Sequence, residues 1–394
     1  MLSKRASTIT PSITLGISSK VKELKAKGET IINLSIGEPD FLTPDKVKEA
    51  GKKAIDDNIT KYDAASGNLE LKKAICEKLE KENGLHYDTD QVVISSGAKH
   101  SITNALLATI NPGDEVLIPI PYWVSYPEMV RLVGGEPILV QTKKENGFKV
   151  TLEDIEPHLS DKTRMIILTN PSNPTGNVFN KEELQQLVGA LVEKNILILA
   201  DEIYERVVYD EPFTSIPTLS EDIYNHTILI NGLSKSASMT GWRLGYSASN
   251  KELAKAMGSI QSHLTSHPST ITQAASITAL RQCDEEIKHM VATYKERRDH
   301  IMDFFKDWGR LDIIPPVGAF YVFVDIGPLA EKIKEDSLSL KVCDDMIEEH
   351  KVAFVPGIGF GQDDFLRLSY AASLEDIKEG LKRFKTYVEN LLED

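Results

Sequence analysis

Between about residues 30 and 245, short apolar runs of strand length alternate with stretches of helical periodicity, and no other feature of the chain limits its fold so strongly. Strands separated by helices in this way build a parallel sheet covered on both faces. The expected strands lie at 30–35, 91–95, 115–118, 137–141, 164–169, 195–200 and 227–230. Helices are expected at 17–27, from Thr43-Pro44-Asp45 to about 58, and at 69–83, 101–110 and 181–194. Beyond Gly245 the reading turns helical at 251–264, 269–282 and 284–308. Strands at 311–314, 319–324, 352–355 and 365–369 and helices at 338–349 and 374–392 complete it. The long polar-faced helix at 284–308 is expected to link two domains.

Open α/β sheets bind their ligands at the carboxyl ends of their strands. Polar side chains just past strand ends therefore matter more than their types suggest. Past the run at 227–230, Asn231-Gly232 breaks the strand and delivers Lys235. An amine desolvated at such a mouth, near cationic neighbours, has a lowered pKa and can form a Schiff base with a carbonyl. A Ser-Lys pair after a strand is equally at home in a solvated loop. Arg243, eight residues on, could supply the cation or grip a phosphate.

Four other strand ends carry candidates. Ser96-Gly97-Ala98-Lys99 is a glycine turn running into a helix, where free N–H groups and the helix dipole can hold an anion; it lacks the sequence of a P-loop. Trp123 lies with Tyr122 and Tyr126 in a proline-bounded loop at 119–127, either packed into a core or exposed to stack on a flat ring. Asn173 sits in Asn170-Pro171-Ser172-Asn173-Pro174-Thr175-Gly176, a tight loop that leaves its amide available. Asp201 ends a wholly apolar strand, so it is either a surface carboxylate or a buried one in need of a cationic partner. Gly37 is a turn glycine or a point of close backbone approach, and Tyr62 is an isolated loop tyrosine. Arg367 lies in the run Phe-Leu-Arg-Leu-Ser. It faces water if that strand is an edge, or clamps a carboxylate if it is not.

A formal net charge of -14 argues against nucleic acid and anionic membranes as partners. The three cysteines, Cys76, Cys283 and Cys343, are far apart and without metal spacing, so no metal site is expected and a reducing compartment is. The N-terminal segment has no apolar stretch of signal-peptide length, and no run approaches eighteen apolar residues; a cytoplasmic protein is expected.

A Schiff-base lysine, an anion cradle, a stacking tryptophan and a buried aspartate together describe a pyridoxal phosphate site. The protonated ring, paired with Asp201, would act as the electron sink that acidifies the substrate Cα proton. Lys235 would carry that proton.

The chain resembles the class I aminotransferases of the aspartate aminotransferase family, prokaryotic subgroup, fold type I. The resemblance runs through Gly37-Glu38-Pro39-Asp40, Tyr62, Ser96 to Lys99, the segment 121–127, Asn173-Pro174-Thr175-Gly176, Asp201-Glu202-Ile203-Tyr204, Ser234-Lys235, Gly241-Trp242-Arg243 and Arg367-Leu368-Ser369. It implies an α/β fold with a large, mostly parallel seven-stranded sheet and a smaller α+β domain. Residues 1–42 would form an arm and part of the small domain, 43–290 the large domain, and 291–394 the remainder of the small one. Lys235, Asp201 and Tyr204 are implied as catalytic. Gly97, Ala98, Lys99, Arg243, Trp123, Asn173 and, from a neighbouring subunit, Tyr62 would hold the cofactor, which implies a homodimer. Arg367 would take the substrate α-carboxylate, with Gly37 and Asn173 assisting. Lys99 and Thr14 match the subgroup's positions for a distal carboxylate, since the region 262–273 lacks the second arginine of vertebrate-type members.

The expected activity is amino transfer from aspartate to 2-oxoglutarate. A prephenate or aromatic aminotransferase and a carbon–sulfur lyase are the alternatives. One departure is Gly232, where better-known members have a phosphate-binding serine.

Overall fold

The structure, a computed structural model, describes every residue except Met1, Lys4, Arg5, Thr8, Ser12 and Asp394. Its strands, in chain order, are β1 (Ile32–Asn33), β2 (Val92–Ser95), β3 (Glu115–Pro119), β4 (Glu136–Val140), β5 (Thr163–Thr169), β6 (Leu197–Asp201) and β7 (Thr227–Gly232). They continue with β8 (Gly245–Ala248), β9 (Ile313–Ile314), β10 (Tyr321–Asp325), β11 (Val352–Ala353), β12 (Val355–Pro356) and β13 (Phe365–Ser369).

Seven strands form one sheet in the order β2-β8-β7-β6-β5-β3-β4. All neighbours pair in parallel except β8, which runs antiparallel to both β2 and β7. The expected seven-stranded, mostly parallel sheet is thus present, with one change of membership. The run at 30–35 is not part of it: only Ile32 and Asn33 are extended, and they pair with Val352 and Ala353. Its place is taken by β8, which the sequence did not announce because Gly-Tyr-Ser-Ala is short and weakly apolar.

Alternation along the strands divides the core in two. Val92, Ile94, Leu117, Ile166, Ile198 and Leu229 point to one side, against helices Asp45–Asp56, Leu69–Lys78, Lys181–Val192 and Thr270–Gln282. Val93, Val116, Ile118, Ile167, Leu199 and Ile228 point to the other, against Ala98–Thr109, Tyr126–Val133 and Lys251–Leu264.

A separate core surrounds the four-stranded sheet β12-β13-β10-β9, where Tyr321, Val322, Leu366 and Leu368 pack with Phe384 of the final helix. The helix Asp284–Trp308 passes from one core to the other. Its Ile287 packs beneath the large sheet, whereas Met290, Tyr294, Ile301 and Phe305 belong to the second core. Ile32 and Leu34 join that second core as well.

Candidate active site

The carboxyl ends of β5, β6 and β7 leave Thr169, Asp201 and Gly232 along one rim, and the turn after β2 places Gly97 beside them. Arg243 adopts a left-handed backbone (φ 57°), which turns its guanidinium back over that turn. Gly97 has a φ of 87°, which favours glycine, and a Cβ there would stand 2.6 Å from Arg243 Nη2, so the guanidinium would have to move for any other residue. Beneath it, a Cβ on Gly245 would stand 2.1 Å from the Ala98 nitrogen, so strand and helix start are in backbone contact. Helix Ala98–Thr109 begins here with no side-chain cap, leaving its first N–H groups for an anion. Arg243 itself donates to Thr240 O at 2.8 Å and has no carboxylate partner among the described residues.

Lys235 lies two residues past Leu233 and donates through Nζ to the carbonyl of Gly37. Its ammonium also stands 5.8 Å from the Tyr204 ring and 5.9 Å from the Phe320 ring. Burial among these groups lowers the amine to about 8, opposed by Glu38 and Asp201 and helped by Arg367 and Arg243. A lowered amine at this position is what Schiff-base chemistry requires.

Asp201 is 4% exposed, which removes the surface alternative. The chain itself supplies no cationic partner for it among the described residues. Its oxygens accept the Tyr126 hydroxyl at 2.7 Å and the Ile203 N–H at 3.3 Å, and no salt bridge reaches it among the described residues. Desolvation raises its carboxyl to about 6. Tyr126 was visible only as one aromatic residue in an expected loop. It opens the helix Tyr126–Val133, which Pro127 in the first turn suits.

Arg367 occupies the middle of β13, between β10 and β12, with all five strand residues buried. An edge strand with the arginine in water is thus excluded. Its Nη1 donates to Asn173 Oδ1 at 3.0 Å and its Nη2 to Ser35 O at 2.9 Å. The guanidinium lies over the Tyr321 ring at 4.3 Å, and Nε is buried without a partner. A buried guanidinium with an unused donor and no acid among the described residues is arranged for an external carboxylate. Tyr321, whose hydroxyl meets that of Tyr204 at 2.8 Å, joins this side of the cleft to the Asp201 side. Nothing in the apolar run around Tyr321 signalled that role.

Lys99 donates to Ser125 Oγ at 3.0 Å and stands 4.7 Å over the half-buried Trp123 ring. Burial of the ammonium, then Arg243, lowers its pKa. A cavity of about 380 Å³ joins Lys99, Tyr122 and Ser125 to Ile9, Thr10 and Ile13 of the N-terminal segment. Thr14 follows in the first turn of the helix Ile13–Ala26. Tyr62 does not join the cluster. It is 93% exposed, with its ring edge-on to His267.

At Gly232, a Cβ would stand 2.8 Å from Leu244 O and 3.0 Å from Gly245 Cα. The backbone of β8 leaves no room for the absent serine. Among the described residues no cluster could hold a metal ion and no helix is long and apolar enough to cross a membrane.

The family model described as "Aminotransferase class I and II" matches residues 29–384. A probable aspartate/prephenate aminotransferase of Aquifex aeolicus is 42% identical over 393 residues, covering 99% of each chain. The aspartate aminotransferase of Bacillus subtilis is 40% identical, covering 98% of this chain and 99% of its own. Aspartate aminotransferase from Thermus thermophilus, solved with maleate, superposes with a TM-score of 0.92 at 37% identity, covering 98% of each chain. The chain belongs to the class I and II aminotransferase family.

Proposed function

We propose that the chain transfers the amino group of aspartate to 2-oxoglutarate, giving oxaloacetate and glutamate. The observation that carries this reading is Arg367, buried without an acid, together with a second cation, Lys99, that also lacks one among the described residues. Two such cations suit a dicarboxylic amino acid, and would disfavour an apolar side chain. The Thermus relative solved with maleate, itself a dicarboxylate, supports the assignment.

Pyridoxal phosphate is the cofactor of this family, and the residues present fit it. The glycine turn with Arg243 above it suits the phosphate, and the buried Asp201 without a cation suits a protonated ring nitrogen. When bound, the cofactor supplies an electron-withdrawing ring that makes a substrate Cα–H acidic. Gly97, Ala98, Lys99 and Arg243 would hold the phosphate end, Trp123 the ring face, and Asn173 and Tyr204 the ring hydroxyl. Lys235 anchors the cofactor and then moves the proton at the substrate Cα. Arg367 orients the α-carboxylate, with Asn173 and Gly37 beside it, and Thr14 and Lys99 meet the distal carboxylate.

Tyr62, at 93% exposure, suits a contact with the phosphate held by a second copy, so we assign the chain to a homodimer with shared sites. Residues 43–290 form the large domain in this reading. Residues 1–42 and 291–394 supply the arm and the small domain, which closes on substrate. Three unpaired thiols fit a cytoplasmic setting.

Oxaloacetate formation from aspartate and 2-oxoglutarate tests the reaction. Release of pyruvate and ammonia from cysteine without an oxo-acid acceptor would instead establish a lyase. Because one relative is described as aspartate/prephenate aminotransferase, prephenate belongs among the amino acceptors tried.

A further inference from the structure

Thr169 closes β5 and Asp201 closes β6, and the parallel register sets the two residues opposite each other. Tyr126 reaches both from the first turn of its helix. Its hydroxyl lies 2.7 Å from Asp201 Oδ2 and 2.6 Å from Thr169 Oγ1. A hydroxyl has one proton, and an ionised carboxylate only accepts. Tyr126 therefore donates to Asp201, and Thr169 donates to Tyr126. The chain Thr169 to Tyr126 to Asp201 has one direction, each bond polarising the next. On the opposite side, Asp201 Oδ1 accepts the Ile203 N–H at 3.3 Å. Both oxygens are thus anchored, in a site where Asp201 is 4% and Tyr126 2% exposed.

The Tyr126 ring packs edge-on to Trp123 and within the core on its face of the sheet. Phenylalanine would fill the same space, so the hydroxyl has no packing role. We propose that Tyr126 and Thr169 are positioning residues for the Asp201 carboxylate, fixing its plane toward the ring nitrogen of the cofactor. The proposal rests on the reading of Asp201 as the partner of that nitrogen. Removing the hydroxyl frees one carboxylate oxygen to rotate, and the site then loses part of its pre-formed geometry before any ligand arrives.

The test compares binding of pyridoxal phosphate with that of an analogue carrying C–H in place of the ring nitrogen. Equilibrium dialysis against each apoprotein gives a preference ratio that isolates the nitrogen contact. Tyr126→Phe is expected to lower that ratio about tenfold, the scale of a hydrogen bond to a charged group. Thr169→Val should lower it less, and Thr169→Ser should keep the wild-type ratio. If Asp201→Ala abolishes the preference while Tyr126→Phe leaves it intact, the positioning role is overturned and the Asp201 reading stands. If Asp201→Ala leaves the preference unchanged, that reading fails and the proposal with it. Should Tyr126→Phe not fold, the two threonine variants decide, and identical ratios in both would overturn the relay.

Discussion

Replacing Arg367 by methionine separates what that residue does for the fold from what it does for a substrate. Two of its five donors are used, on Asn173 Oδ1 and Ser35 O, and its Nε is buried without a partner. Burying a guanidinium without a counter-charge costs several kcal/mol, so its removal relieves the empty protein. Against that, the substitution orphans two acceptors, at about 1–3 kcal/mol each. These terms oppose each other and are of similar size, so the net change in stability should stay within about 2 kcal/mol. For the substrate nothing offsets the loss. Truncating one partner of a buried, hydrogen-bonded charge pair costs about 2–5 kcal/mol, which lowers kcat/KM by roughly 30- to 5,000-fold. Because every amino donor carries an α-carboxylate, the loss should be similar for aspartate and for phenylalanine. The assays are a urea denaturation midpoint on the apoprotein and kcat/KM for both donors. A variant that unfolds readily but keeps its turnover would show that Arg367 is structural, and would refute this reasoning.

Lys99→Met should lower kcat/KM for aspartate about 10- to 100-fold more than for phenylalanine, the scale of one charge-assisted hydrogen bond. An equal loss for both substrates would remove Lys99 from side-chain recognition. With its amine lowered to about 8, Lys235 of the apoprotein should be modified by a carbonyl reagent ahead of other lysines near pH 8–9, as read by peptide mass mapping. The same shift has a sign for stability. Between about pH 8 and 10.5 the unfolded chain holds a proton that the folded one does not, so this group's contribution rises with pH across that window; Lys235→Met should flatten the rise. Gly232→Ser should destabilise the protein by about 1–3 kcal/mol without improving cofactor retention, because its Cβ meets the β8 backbone. Tyr62→Phe should speed cofactor loss on dilution; unchanged retention would contradict its role in a second copy's site.

The sheet was legible because its central strands are apolar throughout and too short for buried helices, and the rim followed from where those runs end. Lys235 and the Gly97 turn could be placed just past strand ends from the apolar runs, while their roles and that of Arg243 followed from the family resemblance. Partners contributed from remote segments were not legible. Tyr126 satisfies Asp201 and Tyr321 underlies Arg367 across distances that no local pattern encodes. The antiparallel β8 escaped because four residues with one glycine carry little periodicity, and the alternation alone could not say which sheet the run at 30–35 joins, because pairing is a tertiary choice.

Single-turnover mixing of the cofactor-loaded protein with one amino acid at a time, following the loss of visible absorbance, tests the central claim most directly. Aspartate and glutamate should react at least about 100-fold faster than leucine, the scale set by leaving a buried cation without its carboxylate, and Lys235→Ala should not turn over with any of them. Equal rates for aspartate and leucine, or a Lys235→Ala protein that still transfers the amino group, would contradict it.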